Sequence, residues 1–229
     1  MRLFALLTAL LLSNASLAQT RHPRGKPAQS AAADRLGLTC AQILSIRSTD
    51  WVAKFKAQKG AAPGATSRAL VIYGRCYDER TEQLGFALRR RHSAPPKNAA
   101  AGFTGFENAV KNFTQTAIAD AQPPPDEAKL ACISLYGKQF RYEFYREYED
   151  KTLNASLTPE QSDRFTKAKN RFGELIGLLP NDKAHQVHAA FGEIVGLHHL
   201  SMPMKLALYR YAIFILEPPS GKPFSSPPF

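Results

Sequence analysis

Four histidines fall within fifteen residues: His185, His188, His198 and His199. Histidine is the commonest metal ligand and a general base near neutral pH. A zinc site needs three or four donors at about 2.0–2.3 Å. On one helix, His188 and His199 would stand about 16 Å apart, too far to share an ion. His185 and His188 share a helical face, but a metal there would need donors from a second helix. No His-Glu-x-x-His occurs. His198 falls in the apolar stripe of Val187, Phe191 and Ile194, which suits a hydrogen-bonded core histidine. No metal site is expected.

Paired carboxylates are the next chemistry to consider. Phe172-Gly173-Glu174-Leu175-Ile176-Gly177-Leu178 recurs as Phe191-Gly192-Glu193-Ile194-Val195-Gly196-Leu197. A general acid with a raised pKa needs burial or a close like charge. Each Glu lies about 200° round the helix from its preceding Phe, so Glu174 and Glu193 are expected in solvent. The repeat also places Gly-x-x-x-Gly on two successive helices. Glycine costs roughly 1 kcal/mol in a helix interior relative to alanine. Close approach of two helix backbones in an antiparallel hairpin is the expected compensation.

Three cysteines, Cys40, Cys76 and Cys132, suggest one disulfide and one thiol if the chain meets an oxidising compartment. Spacing alone leaves the pairing open. In straight up-and-down helices Cys76 and Cys132 lie at similar depth, with Cys40 some 14 Å lower than Cys76. A break in the first helix near Ser48-Thr49-Asp50 would fold Cys40 back toward Cys76. We favour Cys40–Cys76, because a staple there stops the start of the folded region from fraying. Cys132 is comfortable unpaired in a core stripe. Cys-x-x-Cys, Gly-x-Ser-x-Gly, phosphate-loop, dinucleotide and calcium-loop motifs do not occur. We expect no catalytic residue and no cofactor.

The aromatic helix at Asp126–Asp150 is the remaining candidate site. One apolar stripe runs through Ala128, Ala131, Cys132, Leu135, Tyr142 and Tyr145. A second runs Tyr136, Phe140, Phe144 and Tyr148 on nearly the opposite face. A helix apolar on both sides belongs at the centre of its domain. The alternative is an exposed aromatic ridge, with Arg141 and Arg146 beside it, for a partner protein or a sugar face.

These residues need elements to hold them. The period of apolar positions is helical nearly throughout 38–217, with no sustained strand alternation. An all-α domain of six or seven mostly antiparallel helices with short loops is expected. Thr158-Pro159-Glu160-Gln161 opens one helix as a capping box with Pro at its first position. Asn181 and Ser201 are expected caps of the next two, and Pro123-Pro124-Pro125 ends the helix before Asp126. A loop is expected at Ser93–Ala100.

The ends differ from this domain. Residues 1–18 read as a signal peptide: Arg2, the apolar run Leu3–Leu12, then Ser16 and Ala18 at a cleavage site. Ten apolar residues span about 15 Å, half a bilayer core, so a transmembrane anchor is not expected. Residues 19–37 read as a flexible basic arm, and 218–229 as a Pro-rich tail. Asn112 and Asn154 match a glycosylation acceptor pattern that has meaning only in a eukaryotic host.

Charge is unevenly placed. The chain carries a net +11. Lys and Arg outnumber Asp and Glu by five to one over Gln19–Thr49 and by ten to four over Asp50–Ala100. From Ala101 onward they balance at fourteen each. With export, this basic half points to an anionic envelope component or a protein partner and away from nucleic acid. The leading expectation is a non-catalytic, exported binding protein, secreted or periplasmic after cleavage near Ala18. A carboxylate-dependent glycan hydrolase of the envelope is the competing class, and a metal- or lipid-binding protein the third.

Overall fold

The structure, a computed structural model, describes residues 37–91, 97–119, 124–152 and 154–217. The expected signal peptide, nearly all of the basic arm and the Pro-rich tail lie outside the described residues. Among the described residues there are eight α-helices and no strand. They are α1 (Cys40–Leu44), α2 (Ser48–Lys59), α3 (Ala65–Arg91), α4 (Lys97–Ile118), α5 (Glu127–Asp150), α6 (Pro159–Gly177), α7 (Asn181–Leu197) and α8 (Met202–Leu216). The fold is all-α, as the periodicity requires.

Local chemistry sets most boundaries. Thr158 and Gln161 form the capping box of α6, with Pro159 in its first turn. The Asp126 side chain accepts from the Lys129 N–H at 2.6 Å and starts α5. Ser201 caps α8 by accepting from the Met204 N–H at 3.2 Å. A second capping box, Thr39 with Gln42, starts α1.

Four boundaries differ from expectation. The first break falls at 45–47, and Ser48 is already helical, with Arg47 at the cap position. This break divides one expected helix into α1 and α2, which gives eight helices among the described residues where six or seven were expected. Helix α4 begins at Lys97, inside the expected loop, because Ala99-Ala100-Ala101 favours helix. Pro180, not Asn181, holds the cap position of α7. That helix ends at Leu197, and His198 is extended, since the Ser201 cap of α8 lies only three residues further on.

Helix α5 is the axis of the bundle. Gly64 lies against Glu127, Gly74 against Leu135 and Lys138, and Tyr77 against Tyr142, so α3 runs parallel to α5. Phe103 stacks on Tyr145 at 4.3 Å and Phe106 on Phe144 at 3.7 Å, which fixes α4 as antiparallel. Helix α8 is antiparallel too, with Ser201 bonded to Glu147 at one end and Phe214 4.9 Å from Tyr136 at the other. Helix α2 returns along α3: Trp51 Nε1 donates to the Ala69 carbonyl and Tyr73 Oη to the Ile46 carbonyl, both at 2.8 Å. Helices α6 and α7 form a hairpin joined by Phe172 and Phe191, whose rings are 4.3 Å apart, and both pack on Tyr209 of α8.

The close backbone approach expected at the Gly-x-x-x-Gly pairs does not occur. A Cβ at Gly173, Gly177, Gly192 or Gly196 would meet nothing within 4 Å. Close approach happens elsewhere: a Cβ at Gly74 would lie 3.2 Å from Lys138 Cδ, and one at Gly137 would lie 3.1 Å from Tyr211 Oη. The repeat turns Phe172, Leu175, Phe191 and Ile194 inward and its glycines outward. Gly173→Ala and Gly192→Ala, both within their helices, are therefore expected to stabilise the fold by about 0.5–1 kcal/mol each. Thermal melts of the single and double variants check this. A lowered midpoint would mean that the glycines serve a contact made by these faces.

Candidate functional site

The exposed aromatic ridge is not formed. Tyr136 and Phe144 are 1 % exposed and Phe140 is 0 %. Phe140 and Phe144 pack on Phe106 of α4, and Phe144 also meets His198 edge-on at 6.2 Å. Tyr148 is half-buried, with its ring 5.0 Å from Phe103 and 5.1 Å from Phe144. The two opposite stripes made α5 central, and a central helix cannot present either stripe to a partner. Arg141 is also committed within the bundle. Its guanidinium lies 3.2 Å from Asp78 of α3 and 3.6 Å from Glu107 of α4. Lys138 reaches Asp78 at 2.7 Å, and Tyr145 Oη donates to Glu107 at 2.8 Å. These side chains tie three helices together along one surface seam.

Cys40 and Cys76 pair, with sulfurs 2.11 Å apart and Cα atoms 5.0 Å apart. Cys132 is buried with its thiol pushed up to about 12, chiefly by burial, so it is no nucleophile at neutral pH.

The histidines do not converge. His185 and His188 are exposed on α7, while His198 and His199 lie beyond its end. His198 sits edge-on to Phe106 at 5.3 Å, and burial holds its pKa below the usual value. Among the described residues no three His, Cys, Asp or Glu side chains cluster as a metal site. Glu174 and Glu193 are exposed, as their wheel positions required, and Glu174 pairs with Arg171 at 3.0 Å.

Sequence reasoning missed a different acid pair. Glu143 and Glu147, one turn apart on α5, both have pKa values raised above the ordinary carboxylate value by burial. Glu147 Oε1 accepts from the Ser201 hydroxyl at the start of α8, and its Oε2 is buried with no hydrogen-bond partner. The available signal was their four-residue spacing on a helix already identified as central. Ser201, 2 % exposed, uses its hydroxyl proton on Glu147 and its lone pair on the Met204 N–H. This Ser–Glu pair closes the junction between α5 and the start of α8.

The raised pKa of Glu147 has a signed consequence. The folded state holds the proton more tightly than the unfolded state, so the stability this group contributes is present at low pH. It is lost as pH rises from the unfolded pKa through the folded one. Glu143 acts in the same direction, and His198, lowered by burial, acts in the opposite one below its ordinary value. Urea unfolding of Glu147→Gln beside the parent at pH 5 and pH 8 isolates the group. The parent is expected to gain on the variant as pH falls, and equal differences at both pH values would refute the burial argument.

The surface that remains is the α2–α3 hairpin. Between Arg47 and Tyr77 the chain has six Lys or Arg (Arg47, Lys54, Lys56, Lys59, Arg68, Arg75) and one acid, Asp50. Arg47 and Asp50 pair at 2.9 Å. Lys54, Lys59, Arg68 and Arg75 are exposed. The tip, 60–64, turns on Gly60 and Gly64 at φ 79° and 74°, left-handed conformations that glycine adopts without steric cost. Antiparallel return thus brings cations that are spread along the sequence onto two adjoining helices. An excess of exposed cations attracts anionic partners.

Compared with protein-family models, curated proteins and solved structures, the chain matches none.

Proposed function

We propose that this chain is an exported, non-catalytic helical protein whose basic N-terminal half binds an anionic component of the cell envelope or a protein partner. The observation carrying this reading is the segregation of charge. All of the basic excess precedes residue 101, and the α2–α3 hairpin concentrates part of it on exposed helix faces. The apolar run at Leu3–Leu12 followed by Ser16 and Ala18 supports export, and a disulfide is at home in an oxidising compartment. Among the described residues, no helix is long and apolar enough to cross a membrane.

The test has two parts. Expression of the full sequence, followed by fractionation and intact-mass measurement, is expected to give a product beginning at Gln19 outside the cytoplasm. That product should be retained on an anionic matrix and released by salt, since screening weakens such attraction. An unprocessed cytoplasmic product would refute export. Flow-through at low salt would refute the anionic partner.

One observation favours a glycan hydrolase: the raised carboxyls of Glu143 and Glu147 suit a general acid. The geometry opposes it. Glu147 is engaged by Ser201 on one oxygen and buried on the other, which leaves no path for a glycosidic oxygen.

A further inference from the structure

We infer that His185 and His188 on α7 are half of a divalent transition-metal site, which a second copy of this chain completes. The two residues lie three apart on one helix, so their Cβ atoms stand about 5–6 Å from each other. Both are exposed, and among the described residues no hydrogen bond or ion pair engages either. Two imidazoles so placed can reach one ion at about 2.0–2.1 Å. Imidazole nitrogen suits zinc, copper and nickel, whereas calcium and magnesium take oxygen ligands. The charges on α7 favour a cation there, in a chain that is otherwise basic. Lys183 is the one Lys or Arg on this helix. It is 5 % exposed and donates to the Thr116 carbonyl of α4, so its ammonium faces the bundle. Apart from the histidines, the charged residues left exposed on α7 are the acids Asp182 and Glu193. At 100° per residue both fall within about 80° of His185.

Two donors are too few for a closed site. Structural zinc takes four, and among the described residues no third His, Cys, Asp or Glu of the same chain joins this pair. A two-fold axis through the ion supplies the rest as the same two histidines from a second copy. The face of α7 leaves that approach open. Gly192 and Gly196 fall within about 20° of His185 round the helix, and Ala189 within about 40°. A Cβ added at either glycine would meet nothing within 4 Å, so at these positions the described chain leaves its own helix uncovered. Small residues there give a second helix room beside the ion. The face is far smaller than the roughly 20–30 residues a side of a stable interface, so copies should associate only through the metal.

The experiment is light scattering with zinc analysis on the purified full chain, carrying no histidine tag, in chelator or with half an equivalent of zinc. In chelator a monomer is expected. Zinc should double the mass and be retained at about one ion per two chains, and chelator should reverse the change. His185→Ala, His188→Ala and the double variant should stay monomeric in zinc. His199→Ala, which removes a neighbouring exposed histidine, should double in mass as the parent does. Circular dichroism should show every variant folded, because all three positions are exposed. A mass unchanged by zinc overturns the inference, whether no ion binds or one binds to each chain separately. Doubling in chelator overturns it too, as does equal doubling of the parent and the double variant in zinc.

Discussion

Phe144→Ala is expected to destabilise the fold by about 3–5 kcal/mol, a large part of the 5–15 kcal/mol typical of a domain. The ring is 1 % exposed and stacks on Phe106 at 3.7 Å, with Phe103, Tyr148 and His198 around it. Removing it opens a cavity where α4, α5 and the chain after α7 meet. The surrounding rings belong to three separate segments, so collapse into the space requires several to move together. Urea unfolding of the variant beside Leu178→Ala, at a residue 78 % exposed, provides the comparison. The surface change is expected to fall within about 0.5 kcal/mol of the parent. A loss below about 1 kcal/mol for Phe144→Ala would return the aromatic stripe to the surface and reopen it as a partner-binding ridge.

That burial also explains what was legible in the sequence. Helix positions follow from local terms: Thr158 with Gln161, Asp126, and Ser201 act through atoms within four residues, so periodicity and caps suffice to find them. The central place of α5 follows from its two opposite stripes. Choosing between a central helix and an exposed ridge required knowing that α3 and α8 both lie along it, which no single segment records. The near-repeat misled for the same reason. Gly-x-x-x-Gly has an identical spacing whether it faces a neighbour or water, and the residues that decide are Phe172 and Phe191, which turn the other face of each helix inward.

Cys40→Ser with Cys76→Ser is expected to cost about 3–4 kcal/mol, because the bond closes a loop with a sequence separation of 36. At this chain size each kcal/mol moves the melting midpoint by about 2–4 °C, so a fall on the order of 10 °C is expected. The argument is stronger here than loop length alone suggests. Helix α1 has five residues, far below the length at which a helix persists unaided. Its hold on the fold is the disulfide, the buried Ile43 and its contacts with α3. Without the bond, α1 should fray first and expose Cys76, which is 0 % exposed in the intact fold. Reduced parent and double variant should then melt together, below the oxidised parent. Cys132 serves as the internal control: buried and with its thiol pushed up to about 12, it should resist alkylation until the whole chain unfolds. Identical melts for reduced and oxidised parent would mean that core packing alone holds α1. The disulfide would then lend no support to an oxidising destination, and the proposed export would rest on the N-terminal eighteen residues alone.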